Sequence, residues 1–195
     1  MKRTLMSSWQ RYKPLTFEVK NYDREAAVLL GLTPIDDEPH VVLIKRAEGL
    51  STHAGEVALP GGILDPSDYS LEAAALREAH EEVNLAPQYV EVFGPLSTFV
   101  SRWNVKVTPF VGFIPALPTL RPNPGEIDEV FTAPLSFFQR DNIQNYTRLN
   151  YEGRSFDVAE FQFGGRRVWG MTALILTDFV QQCFDYEVGP KEVVV

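Results

Sequence analysis

Cysteine is nearly absent from these 195 residues, and cations are outnumbered. The single thiol, Cys183, sits in the apolar stretch LILTDFVQQCF. An internal disulfide is therefore excluded, and a lone thiol in apolar surroundings reads as a buried structural group in a protein of a reducing compartment. Lys and Arg number 18 against 26 Asp and Glu, leaving a formal net charge of -8. That balance argues against a broad cationic face for nucleic acid or an anionic membrane, so an anionic substrate must be met by local charge. No apolar run approaches the roughly 18 residues of a membrane span. The N-terminal MKRTLMSSWQRYKP begins with positive charge but lacks the apolar core, about 7 residues long, of a secretory signal. Repeats and low-complexity tracts are also missing. The expectation is a cytoplasmic protein of one enzyme-sized domain that binds neither nucleic acid nor membrane.

A hydrophobic content of 45% is enough to build a real core. Residues 1–22 are polar with a few aromatics and read as an arm or short helix packed on a main domain of residues 23–195. Apolar runs that favour strands follow at Ala26 to Leu32, Val41 to Lys45, Glu56 to Leu59, Tyr89 to Val100, Val105 to Ile114 and Glu129 to Phe131. Turn chemistry separates them: TPIDDEPH, PGG, FGP and PALPTLRPNPGE. Two segments read as helices. In Leu71 to Val83 the residues Leu71, Ala75, Ala79 and Val83 form one apolar stripe, widened by Ala74, and Gly170 to Phe184 is rich in Ala, Leu, Ile and Phe. A mixed sheet with a helix on each face follows, an α/β sandwich.

The first of these helices crowds three glutamates into LREAHEEVNL. Glu78 and Glu82 share one helical face, Glu78 and Glu81 an adjoining one, and all border the core. Like charges at this spacing cost a few tenths of a kcal/mol per pair, and Arg77 relieves only part of it. Oxygen-only ligands without Cys or His partners suit Mg²⁺ or Mn²⁺ rather than Zn²⁺; His80 points elsewhere. Alone, such a helix also reads as a solvated acidic face. Immediately upstream lies LPGGILDPSD, where Gly61 and Gly62 let the chain turn sharply and bring bare backbone N–H groups toward a ligand. Asp68 or Ser70 can cap the helix.

Gly-Gly, an acidic loop and R-E-x-x-E-E together resemble the Nudix box of the Nudix hydrolases. Gly62 takes its glycine, Asp68 its first glutamate, Arg77, Glu78, Glu81, Glu82 and Leu85 match its helix, and Asn84 stands where it has a closing glycine. One extra residue precedes Arg77. The segment VLIKRAEGLSTHAGEVALPGG is further similar to the motif of the coenzyme A pyrophosphatase branch, through Leu43, Arg46, Ala47, Gly55, Pro60, Gly61 and Gly62; Val42, Ile44, Ser51 and Leu59 differ from it. NPGEIDEVFTAPLSF, YEGRSF and GRRVWGMTALIL also look like that branch.

The resemblance implies a Nudix-type α/β/α sandwich and attack of water on a pyrophosphate phosphorus with metal assistance. Glu78 and Glu82 are then the first metal ligands, and Glu81 either completes the site or takes the proton from water. Glu126 or Glu129 is the rival base, and both read equally as surface-turn acids. Arg46 binds substrate phosphate or pairs with Glu56 or the acidic helix. Gly61, Gly62 and Arg77 flank the substrate, Arg77 also bracing the helix carboxylates. His53 makes a local turn hydrogen bond. Phe99, Trp103 and Phe110 stack a base or fill the core. The substrate so implied is coenzyme A or a derivative, cut to 3′,5′-ADP and 4′-phosphopantetheine. A broader pyrophosphatase for ADP-ribose, NADH or a nucleoside triphosphate is the alternative, and a noncatalytic nucleotide sensor a third reading. Many relatives of this kind are homodimers.

Overall fold

The apolar runs become strands, and the two segments read as helical become helices. In chain order the elements are α1 (Lys2–Gln10), β1 (Arg24–Ile35), β2 (Glu38–Arg46), β3 (Val57–Ala58), β4 (Gly61–Ile63), α2 (Leu71–Val83), β5 (Glu91–Pro95), β6 (Phe99–Val100), β7 (Val105–Phe113), β8 (Ile127–Pro134), β9 (Ile143–Tyr151), β10 (Arg154–Phe163), β11 (Arg166–Val168) and α3 (Gly170–Phe184). The computed structural model describes residues 1–14, 22–151 and 154–188. The rest of the N-terminal arm to residue 21, two residues of YEGRSF and the end of the tail YEVGPKEVVV lie outside the described residues.

The main sheet runs β3-β2-β1-β7-β5, with β4 on β1, β6 on β7 and β8 on β2. It is mixed because β1 and β7 are parallel, from Arg24 opposite Val105 to Leu32 opposite Phe113, while its other pairs are antiparallel. Asp36 and Asp37, both at positive φ, close the β1–β2 hairpin as a type I′ turn does. The pleat of β2 then sorts its side chains. Val42 and Ile44 join Ala74, Ala75, Ala79 and Val83 of α2 in one core, and Val41 and Leu43 join Leu176 and Phe179 of α3 in the other. The expected sandwich with a helix on each face is what the chain builds.

Two regions differ from the sequence expectation, while the arm forms the expected short packed helix. The run Tyr89 to Val100 is two strands rather than one, because β5 bulges between Val92 and Gly94 and the chain then breaks after Pro95. No apolar run singled out in the sequence falls between Phe131 and Gly170, yet β9, β10 and β11 form a second antiparallel sheet there. Val158, Phe161 and Val168 seat it on the α3 core. The arm contributes α1, whose Leu5 is buried and whose Trp9 packs on Phe93 with ring centroids 6.1 Å apart. Beyond α1, the Tyr12 hydroxyl accepts from the Ser97 amide (2.8 Å) and donates to Asp178 of α3. Cys183 is fully buried, and burial pushes its thiol up to about 12, as befits a structural rather than nucleophilic sulfur. Among the described residues no helix is long and apolar enough to cross a membrane.

Candidate active site

The end of β2, the Gly-Gly corner and α2 meet at one place. Ser70 starts α2 by accepting the Ala73 amide on its hydroxyl at 3.0 Å, and Asn84 ends it in the left-handed region at φ 59°. These caps fix the rotation of the helix. Glu82 consequently lies next to the buried stripe and is only 1% exposed. Its carboxylate accepts the Gly61 amide at 3.0 Å and faces Arg46 Nη1 at 3.4 Å. Gly61 and Gly62 are required sterically. A Cβ on Gly61 would stand 2.4 Å from the Ala27 carbonyl oxygen, and one on Gly62 would stand 2.4 Å from Glu78 Oε1. The corner is thus flattened against β1 on one side and holds a carboxylate on the other.

Burial is the largest influence on both inner carboxylates. It pushes Glu82 up to about 7, with the Gly61 amide and Arg46 pulling it down and the charges of Glu78 and Glu126 adding to the rise. Glu78 is raised as well, first by burial and then by Glu81 and Glu126, while Arg77 opposes the rise. Glu82 is therefore held in low dielectric against one long arginine contact, while half-buried Glu78 shares Arg77 with Asp68 and Glu81. Arg46 could supply more: its Nε is buried and has no hydrogen-bond partner among the described residues.

The remaining expected site residues fall into two groups. Arg77 does not turn to an open substrate space. Its guanidinium donates to both oxygens of Asp68 at 3.0 Å, to Glu81 at 2.9 Å and to the Ile63 carbonyl at 3.3 Å, and it pairs with Glu78 at 3.0 Å. Arg77 thus braces the loop against the helix. Asp68 is engaged by that arginine, which holds its carboxyl below the usual range. The Gly61 amide likewise is committed to Glu82 instead of standing free. Glu81 is exposed and held by Arg77. Arg46 makes the ion pair with the acidic helix rather than with Glu56, which instead meets His53 at 2.7 Å in a local turn. His80 is exposed; Phe99 and Phe110 are core residues, and Trp103 is 54% exposed beneath Arg102.

The two rival bases separate clearly. Glu126 lies close enough to Glu78 and Glu82 for its charge to raise both. Its carbonyl accepts the Ala47 amide at 2.8 Å, and its amide donates to the Asn123 carbonyl at 3.0 Å. The same loop is stitched to the C-terminal end of α2 by the Asn123 amide on the Glu82 carbonyl (2.8 Å) and the Arg121 amide on the Val83 carbonyl (2.9 Å). Glu129 instead lies under both arms of Arg166, which hold its carboxyl below the usual range. Sequence spacing could not separate these two acids, because what separates them is an arginine on the second sheet.

Among the described residues no three Asp, Glu, His or Cys side chains are gathered into a ready-made metal nest. The donor set nevertheless fits a hard divalent cation. Glu82 is buried and Glu78 half-buried, both offer oxygen alone, and Glu126 adds a third negative charge on the same side.

A family model described as NUDIX domain matches residues 23–155. A protein of Photorhabdus laumondii named Uncharacterized Nudix hydrolase NudL is 39% identical over 160 residues, 82% of this chain and 85% of that protein. The protein of the same name from Salmonella paratyphi B is 41% identical over 180 residues, covering 91% and 92% of the two chains. Among solved structures, a MutT/nudix family protein from Enterococcus faecalis superposes with a TM-score of 0.59 at 20% identity, over 95% of this chain and 70% of that one. That likeness bears on the fold alone, and it agrees with the sandwich described above.

Proposed function

The chain belongs to the Nudix family of hydrolases, and from that premise we propose that it cleaves the pyrophosphate of coenzyme A or its derivatives to 3′,5′-ADP and 4′-phosphopantetheine. One observation carries the reading. Arg46, from the motif upstream of the box, and Glu82, from the box itself, meet at 3.4 Å over the Gly61 amide, so the two motifs make one site.

Glu78 and Glu82 would hold Mg²⁺ or Mn²⁺. When bound, such an ion supplies charge neutralisation for the phosphate oxygens and acidifies bound water. The chain's own groups do the rest. Arg46, whose side chain is about a quarter exposed beside Glu82, orients a phosphate oxygen with its guanidinium. Glu126 accepts a proton as the water oxygen attacks phosphorus; the bridging P–O bond breaks, and the departing phosphate keeps its electron pair. Glu81 and Glu129 are the weaker candidates for base, since each is bound to an arginine. Arg77 keeps the loop and α2 in register so that the carboxylates stay on one face.

Incubation with coenzyme A, ADP-ribose and NADH in Mg²⁺, with products resolved by chromatography, tests this directly. Release of 3′,5′-ADP from coenzyme A faster than turnover of the other two supports the reading. Intact coenzyme A beside rapid ADP-ribose cleavage replaces it with the broader pyrophosphatase.

A further inference from the structure

Back to back with the carboxylate site, on the opposite face of β2, lies a pocket of about 280 Å³ that the proposed chemistry leaves unused. Lys45, Glu129, Arg166 and Arg167 line it together with Gly164 and Gly165. Its floor is Val57, part of the α3-side core. Three cations and one carboxylate line it in a chain of net charge -8, the partner acids Glu48 and Glu160 lying outside the lining. The turn is shaped for close approach. Gly164 and Gly165 both have positive φ, and a Cβ on Gly165 would meet nothing within 4 Å, so backbone stands open there.

The cations differ in how firmly they are held. Arg166 is tied to Glu129, and Arg167 to the buried Glu160. Among the described residues the contact on Lys45 is Glu48, at 3.0 Å, with the charges of Asp128 and Glu129 farther off, and the Glu48 carboxylate is 68% exposed. That carboxylate also packs over Gly55 at the pocket wall, where a Cβ would stand 2.7 Å from its oxygen. An exposed pair of this kind is worth little and exchanges readily for another anion. Lys45 and Arg46 are consecutive on β2, where pairing with β8 shifts register; Lys45 lines the pocket beside Val57 and Arg46 faces Glu82, so the two sites flank the end of one strand.

We propose that this pocket binds a second, non-scissile phosphate of the nucleotide substrate, the ribose 3′-phosphate, which takes the place of Glu48 on Lys45. The inference rests on the coenzyme A reading above, and its test does not depend on turnover. Titration calorimetry compares 3′,5′-ADP with 5′-AMP, which differ by that one phosphate. The wild type binds 3′,5′-ADP about tenfold more tightly, as expected for one charge-assisted contact. Lys45→Ala brings that ratio toward one, and Glu48→Gln, which frees Lys45, enlarges it. Equal affinities in the wild type, or a ratio that survives Lys45→Ala, overturn the proposal. Should Lys45→Ala fail to fold, a ratio unmoved by Glu48→Gln overturns it alone. Inorganic phosphate that binds more tightly than 3′,5′-ADP, with the same dependence on Lys45, makes the pocket a free-anion site and overturns its role toward substrate. A preference for 3′,5′-ADP in a protein that leaves coenzyme A intact upholds the pocket and removes only the substrate reading.

Discussion

On the α2 side of the main sheet, buried Glu82 meets a single amide and one long arginine contact at 3.4 Å, and half-buried Glu78 shares the Arg77 brace with Asp68 and Glu81. On the second-sheet side, Glu129, Asp157 and Glu160 each have an arginine of their own, Arg166, Arg148 and Arg167. The residue types are nearly the same and the energetics opposite. A buried acid without its counter-charge costs folding free energy and persists where a ligand supplies that charge; a neutralised acid stabilises the structure around it. The first region is therefore read as reacting, the second as holding the fold, with the pocket beside Lys45 as its one proposed ligand contact.

The largest effect expected from that contrast is at Glu82. Glu82→Gln keeps the acceptor for the Gly61 amide but removes the charge, and kcat on coenzyme A with Mg²⁺ falls on the order of 10³-fold, while metal-free thermal stability is not reduced. A variant that melts early and keeps its rate would erase the distinction between the regions. Next comes the assignment of the base. Glu126→Gln lowers kcat about 10²-fold, and Glu129→Gln changes it by less than about threefold; the reverse order, read by steady-state kinetics, exchanges their roles. Third, Glu160→Ala removes the acceptor for Thr147 and Arg167 and costs about 2 kcal/mol of stability in urea unfolding, with kcat at 25 °C little altered.

The amount legible in the sequence divides along the same line. The bounds of α2 and α3, the carboxylate face and the Gly-Gly corner could be read from spacing because each depends on residues close in the chain. Ser70, Asn84 and the stripe Ala75, Ala79, Val83 are all local signals. The second sheet escaped because β9 and β10 carry polar residues such as Asn145, Arg148, Asp157 and Glu160 within their ladder, where pairing rather than apolar alternation defines the strand. The role of Glu129 escaped with it, since Arg166 lies 37 residues away. The orientation of Arg77 depended on Asp68, nine residues distant across a loop. Long-range charge pairing, which leaves no periodic trace, accounts for most of what was missed.

The smallest effect is in pH dependence, and its sign differs between the regions. Glu129 and Glu160 titrate below the usual value in the folded state, Glu129 chiefly through Arg166 and Glu160 chiefly through Thr147 and Arg167. Their contribution to stability is present above the unfolded pKa and is lost as pH falls through the folded one. Glu82 moves the other way, from 4.5 up to about 7, so in metal-free protein it lowers stability progressively as pH rises across that interval. Melting curves of wild type and Glu82→Gln should separate between those two pH values, with the variant the more stable. Curves that stay parallel there would mean that Glu82 is already compensated.

The most direct test of the central claim, that α2 carries an acidic pair built for a divalent ion, is a Mn²⁺ titration of the melting temperature of wild type, Glu82→Gln and Glu129→Gln at neutral pH. The account predicts a saturable rise for wild type and Glu129→Gln and none for Glu82→Gln. A rise that persists in Glu82→Gln but vanishes in Glu129→Gln would put the cation on the other side of the sheet and contradict it.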